Sequence, residues 1–145
     1  MAILYKQSHG GLSQYSAHFA HCDKAFIDIL SKRVNLNDYI DKLIDKAYNF
    51  EAWQGEDIIG LVNAYFNFET ETGYITNVSV AVEHHGKGVA SNLLDNCIKL
   101  ALENKLKTIS LEVATTNAKA QMLYTKKGFV VESSNENNYI MIKQL

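Results

Sequence analysis

The segment His85-Gly86-Lys87-Gly88-Val89-Ala90 constrains the fold of this chain more than any other. It lies between an alternating apolar run, Ile75 to Val82, and a long run with helical apolar spacing, Val89 to Leu102. Strand, glycine-rich turn and helix in that order leave free backbone N–H groups at a helix N-terminus, where the helix dipole adds partial positive charge. Such a point seats a phosphate. Glycines at 86 and 88 carry no Cβ that would hold a phosphate off the backbone.

The rest of the composition narrows the class. A chain of 145 residues with a net charge of −2 reads as one domain, residues 1–145, able to build a core without disulfides or metal. There is no block of Lys or Arg to suit nucleic acid and no apolar run long enough for a membrane span. The N-terminus lacks a basic region followed by an apolar one, which predicts a cytoplasmic protein. Two cysteines, Cys22 and Cys97, make no disulfide framework. Cys97 shares a helical stripe with Val89, Leu93 and Ala101, which reads as core rather than nucleophile. His18, His21, Cys22 and Asp23 cluster in sequence, yet their spacing matches no zinc signature, so no metal is expected.

With no proline in the chain, glycine does most of the punctuation. The pattern predicts a short strand at Ala2 to Tyr5, a loop through Gly10 and Gly11, and a helix after Asp23 carrying Phe26, Ile27, Ile29 and Leu30. A second helix follows with Asn37 as its N-cap and Ile40, Leu43, Ile44 and Ala47 on one face. Phe50 to Trp53 and Ile58 to Phe68 form a hairpin, and a turn at Glu69 to Gly73 leads into the strand ending near Val82. A helix from Lys87 to Glu103, a strand at Thr108 to Ala114 and a helix from Ala118 to Lys127 come next. Phe129 to Val131 and Tyr139 to Ile142 close the chain as a hairpin. Hairpins mixed with strand-helix-strand crossovers mean an α/β fold with helices on both faces of the sheet.

Two motifs and this order resemble the GNAT superfamily of N-acetyltransferases. Its signature is Gln/Arg-x-x-Gly-x-Gly/Ala after the fourth strand, and here His85 stands in the Gln or Arg position, with Gly88 and Ala90 matching. The second motif is Leu111-Glu112-Val113 followed by Asn117, Ala120, Leu123, Tyr124, Gly128 and Phe129. The resemblance covers about Tyr74 to Val131 and implies a GNAT-like, mostly antiparallel central sheet. It divides the chain into an acceptor-side half at 1–72, acetyl-CoA motifs at 73–131 and a C-terminal strand at 132–145. It also implies acetyl-CoA as donor, an amine as acceptor and, as a family trait, a homodimer.

The site residues follow from the same resemblance. The backbone from Gly86 to Ala90 is expected to hold the pyrophosphate, with His85 and Lys87 beside it. Val78 and Val80 are expected to pair through their main chains with the pantetheine arm, although both also suit a sheet core. Tyr124 is the expected general acid, because a phenol matches a thiolate leaving group in basicity. The alternative is a core tyrosine whose hydroxyl bonds a backbone carbonyl. Asn117 is expected to cap the following helix and to reach the cofactor arm.

The general base stays open among Tyr74, Thr76, Asn77, Ser79, flanking acids and a water chain. His21, Asp23, Arg33, Asn67 and Asn77 are candidates for the acceptor side, against a reading as solvated polar groups. The expected acceptor is a small-molecule amine, such as an amino sugar on a nucleotide carrier, by direct transfer. A peptide or protein amine comes second, and a non-catalytic acyl-CoA-binding module is the rival class.

Overall fold

A computed structural model describes residues 2–145. Seven strands form one sheet in the order β1-β2-β3-β4-β5-β7-β6. They are β1 Leu4–Gln7, β2 Tyr48–Gln54, β3 Asp57–Asn67, β4 Thr72–Val80, β5 Thr108–Ala114, β6 Val130–Ser134 and β7 Asn138–Gln144. Every neighbouring pair is antiparallel except β4 with β5. The five α-helices among the described residues are α1 Leu12–Ala20, α2 Lys24–Arg33, α3 Leu36–Lys46, α4 Val89–Glu103 and α5 Ala118–Lys126.

Strand periodicity of two sends alternate side chains into two cores. On one face, Val62, Ile75, Ile109 and Leu111 pack with Val89, Leu93, Leu94 and Cys97 of α4 and Tyr124 of α5. On the other, Ile58 and Leu61 pack with Tyr15 and Phe19 of α1 and Ile40 and Leu43 of α3. The β-rich centre and both helical layers agree with the mixed α/β fold read from the sequence.

Three local readings need correction. Residues 12–20, beyond the loop at Gly10 and Gly11 and before the first expected helix, form a helix of their own, because Tyr15, His18 and Phe19 all turn inward and His18 is only 1% exposed. A polar histidine inside an apolar stripe hides the period. The N-cap of α3 is Asn35 rather than Asn37, its Oδ1 accepting from the Asp38 N–H at 3.1 Å. That start turns Ile40 and Leu43 into the core. Finally, α4 begins at Val89 rather than Lys87, since Gly86 and Gly88 are left-handed at φ +77° and +76°.

Gly60 sets how closely α4 approaches the sheet. A Cβ there would lie 2.5 Å from Val89 Cγ1, so only glycine lets the first turn of α4 press onto β3. The close contact seats the N-terminal end of the helix on the sheet.

Candidate active site

The sheet divides at its centre. β4 and β5 pair in parallel from Thr72↔Thr108 to Ile75↔Leu111 and no further, although both strands continue. The pairing stops where β4 carries a bulge: Asn77 faces Asn63 and Ile75 faces Ala64, which leaves Thr76 as the extra residue. Beyond it the carboxyl ends of β4 and β5 bound a cleft.

The register decides which groups face that cleft. The Ala81 N–H donates to Ile59 O, and antiparallel pairs alternate, so Ser79 and Asn77 bond β3 while Val78 and Val80 turn their backbone polar groups toward the cleft. Val80 O accepts a hydrogen bond from the His85 ring, with Nε2 at 2.9 Å. At the bulge, the Tyr39 hydroxyl donates to Thr76 O at 3.2 Å and lies 3.1 Å from Thr76 Oγ1. Tyr39 thus holds the bulged peptide from the α3 side.

At the mouth of the cleft stands the glycine turn. A Cβ at Gly86 or Gly88 would meet nothing within 4 Å, so the space over the turn is open. The first helical bond of α4 runs from the Asn92 N–H to Gly88 O, which leaves the N–H groups of Val89, Ala90 and Ser91 without helical partners. Lys87 Nζ lies 3.3 Å from His84 Nδ1 at the surface. Open space, free N–H donors and a helix N-terminus fit a pyrophosphate. Gly88→Ala is expected to strain the left-handed residue by about 1–2 kcal/mol and to place a methyl group in the seat. Calorimetric titration with CoA should then show at least about tenfold weaker binding.

Tyr124 is 6% exposed and packs against Phe129 with ring centroids 6.1 Å apart. Its hydroxyl makes no hydrogen bond within the described residues, so the alternative of a hydroxyl on a backbone carbonyl does not hold. No buried side-chain N or O atom among those residues lacks a partner, and so the hydroxyl reaches open space. Burial pushes its pKa up to about 12, which keeps the proton on the phenol at neutral pH. Asn117 caps α5, its Oδ1 accepting from the Ala120 N–H at 3.1 Å.

On the face of the sheet opposite Tyr124, Glu112 of β5 meets Arg33 from the last turn of α2, Nη1 to Oε1 at 3.5 Å. Tyr74 of β4 is close to both. Burial and then the negative Glu112 push its phenol upward, while Arg33 opposes them. Glu112 did not figure among the acceptor-side or base candidates read from the sequence. The available signal was its place one residue past Leu111, in the second motif, on the strand face opposite the core.

The other acceptor-side candidates are placed apart. Asp23 caps α2, accepting from the Ala25 N–H. Asn67 holds the β3–β4 turn by accepting from the N–H groups of Glu69 and Thr70. His21 is exposed, and its carbonyl accepts from the Val82 N–H at 2.9 Å, tying the α1–α2 loop to the end of β4. Asn77 is 4% exposed and sits in a buried ladder rather than at the cleft surface. Asn49, Asn63 and Asn77 lie in register across β2, β3 and β4, each amide donating to the previous side-chain oxygen at 2.8–2.9 Å. The Asn49 amide ends on Leu43 O, and Asn77 also donates to Ser79 Oγ.

The ladder continues into His18. Nδ1 lies 3.1 Å from the carbonyl of Ile58, which requires a proton on that nitrogen, so Nε2 accepts from Ser79 Oγ at 2.8 Å. Cys22 Sγ is 3.4 Å from the same Nε2, and burial pushes its thiol up to about 11, far from a thiolate at neutral pH. Burial pushes the His18 pKa down to about 4, against the bond to Ile58 O, which raises it. The folded form therefore binds fewer protons than the unfolded chain between about pH 6.5 and about pH 4. Stability is full above that window and falls as pH drops through it, by about 3 kcal/mol in all. Urea titrations at pH 7 and pH 4.5 should show a smaller difference for His18→Gln than for the native protein. Among the described residues no group of three or more His, Cys, Asp or Glu is placed to hold a metal ion. None of their helices is long and apolar enough to cross a membrane.

The fold recurs in known proteins. The PaiA N-acetyltransferase from Thermoplasma acidophilum, solved in complex with coenzyme A, superposes with a TM-score of 0.75 over 100% of both chains. At 16% identity that likeness is one of fold. The streptothricin acetyltransferase of Escherichia coli is 33% identical over 98 residues, 65% of this chain and 55% of that protein. A putative [ribosomal protein bS18]-alanine N-acetyltransferase of Bacillus subtilis (strain 168) is 32% identical over 65 residues, 45% of this chain and 43% of that protein. The matches thus span about half the length of these relatives. The model of the acetyltransferase (GNAT) family matches residues 16–129, which takes in the second half of α1, strands β2 to β5, the glycine turn and Tyr124. The chain belongs to the GNAT family of acetyltransferases.

Proposed function

We propose that this protein transfers an acetyl group from acetyl-CoA directly to the primary amine of a small molecule. The carrying observation is the cleft between β4 and β5, with a phosphate-fitting turn at its mouth and the unbonded hydroxyl of Tyr124 at 6% exposure. Acetyl-CoA supplies an acyl carbon already activated as a thioester. The chain supplies the rest. Free N–H groups of the turn and the α4 N-terminus hold the pyrophosphate. The outward main chain of Val78 adds strand-like bonds to the pantetheine arm. Tyr124 gives its proton to the departing sulfur as the C–S bond breaks. Glu112 takes the proton that the amine loses as the C–N bond forms.

Glu112→Gln should keep acetyl-CoA binding and lower kcat by about tenfold to a hundredfold, since water replaces the base only in part. Rates followed by thiol release across pH check this. An unchanged pH profile removes Glu112 from the role.

The whole reading is tested by thermal shift with acetyl-CoA, CoA, ATP and NAD in parallel. Stabilisation by the two CoA species alone supports it. A larger response to ATP or NAD, or none to CoA, overturns it. Stabilisation without turnover on any primary amine favours an acyl-CoA-binding module instead.

A further inference from the structure

The Arg33–Glu112 pair has a geometry that a structural ion pair does not need. It joins α2 to β5 across 79 positions of sequence by one contact of 3.5 Å, longer than a tight N⁺–H···O⁻ bond and made through a single guanidinium nitrogen. The Arg33 side chain is 65% exposed and makes no other hydrogen bond or ion pair within the described residues. Most of its five donors are therefore free. Glu112 is 23% exposed and likewise has no second partner. Such a pair contributes little to stability at this exposure. Its place is informative: Glu112 lies one residue past the last β4–β5 pair, where the acceptor amine must approach.

Opposite charges held loosely at the point of attack match a ligand that carries both signs. An ammonium group is drawn to Glu112, and an anion a few bonds away takes the open fork of Arg33. The exchange replaces one long contact by two and frees the Glu112 carboxylate to receive the amine proton. Tyr74, 40% exposed beside both charges, offers an aromatic wall for the carbon skeleton between them. The nearby Tyr39 hydroxyl is committed to Thr76 and does not compete for the anion.

We infer that Arg33 selects acceptors whose amine stands within a few bonds of an anionic group, a carboxylate or a phosphate. This rests on the acetyl-transfer reading above. Arg33 is here a specificity-determining residue that holds the acceptor, and Glu112 remains the proton acceptor.

The test compares matched amines with acetyl-CoA as donor: phenylalanine against phenylalaninamide, and glucosamine 6-phosphate against glucosamine. One anionic member should exceed its neutral partner in kcat/KM by about tenfold or more, and which pair does so separates carboxylate from phosphate. In Arg33→Gln that ratio should fall to about one through KM, and Arg33→Lys should recover part of it. Calorimetric titration of CoA-loaded protein with N-acetylphenylalanine and its amide, and with the two N-acetylated sugars, should show the same preference without turnover.

Equal kcat/KM within both pairs overturns the inference, as does an Arg33→Gln loss shared equally by charged and neutral members. Acetyl-CoA binding with no turnover of either anionic amine also overturns it and leaves the cofactor assignment standing. Failure to bind acetyl-CoA overturns both readings together.

Discussion

Tyr124→Phe should lower kcat by about a hundredfold or more while leaving the affinity for acetyl-CoA within about twofold. The substitution removes one oxygen and keeps the ring packed against Phe129. Because the hydroxyl makes no hydrogen bond within the described residues, its removal leaves no donor or acceptor unsatisfied, and stability should hardly change. Burial alone raises the phenol to about 12, so the native residue is protonated through the neutral range and has a proton to give. The measurement is a steady-state rate with an amine acceptor, paired with calorimetry on CoA. An unchanged kcat in Tyr124→Phe would leave the ring to packing and give the hydroxyl no part in the reaction, and a loss of folding would give the hydroxyl a structural role.

Glu51→Ala should be among the most destabilising single substitutions in the chain. Glu51 is fully buried on β2 and accepts from the N–H groups of His9 and Gly10, the Trp53 indole and the Tyr15 hydroxyl. Burial, then the bond to Glu51 and its charge, push the Tyr15 phenol far above its usual range, so Tyr15 serves as the donor. Truncation leaves four donors without their acceptor, each worth about 1–3 kcal/mol when buried and unsatisfied. Water entering the vacated space recovers part of this, which leaves a net loss of about 4 kcal/mol or more. Against a typical total of about 5–15 kcal/mol, the midpoint of a urea transition should move sharply. Glu51→Gln, which keeps one acceptor oxygen, should fall between the two. A midpoint unchanged in Glu51→Ala would show that the loop at His9 and Gly10 opens at little cost.

The two substitutions probe different layers. The helix that carries Tyr124 was legible because α5 is local: Asn117 caps it, Gly128 ends it, and the residues between lie within one motif. β5 was legible for the same reason, its β-branched and apolar run matching Thr108–Ala114 without error. Glu51 gave no signal, since a single acid in an otherwise apolar strand looks like an exposed position. Three of its four donors come from a loop and a helix some forty residues earlier. α1 went unread on similar grounds. His18 faces inward only because Ile58 O and Ser79 Oγ, far along the chain, satisfy its ring.

Apart from α1, the sequence by itself determined the element types, together with the glycine turn at the head of α4 and the assignment to a family, because these depend on contacts within a few residues. Only the tertiary structure decided where the sheet opens, since that depends on the Thr76 bulge, on strand register and on pairing that ends at Ile75↔Leu111. The same long-range register stacked Asn49, Asn63 and Asn77 into one buried ladder and withdrew Asn77 from the cleft surface. It also brought Arg33 of α2 to Glu112 of β5, a juxtaposition with no local signature in either segment. Periodicity reports which face of an element is buried, whereas a site assembled from α2, β4, β5 and α5 exists only once the sheet has ordered them.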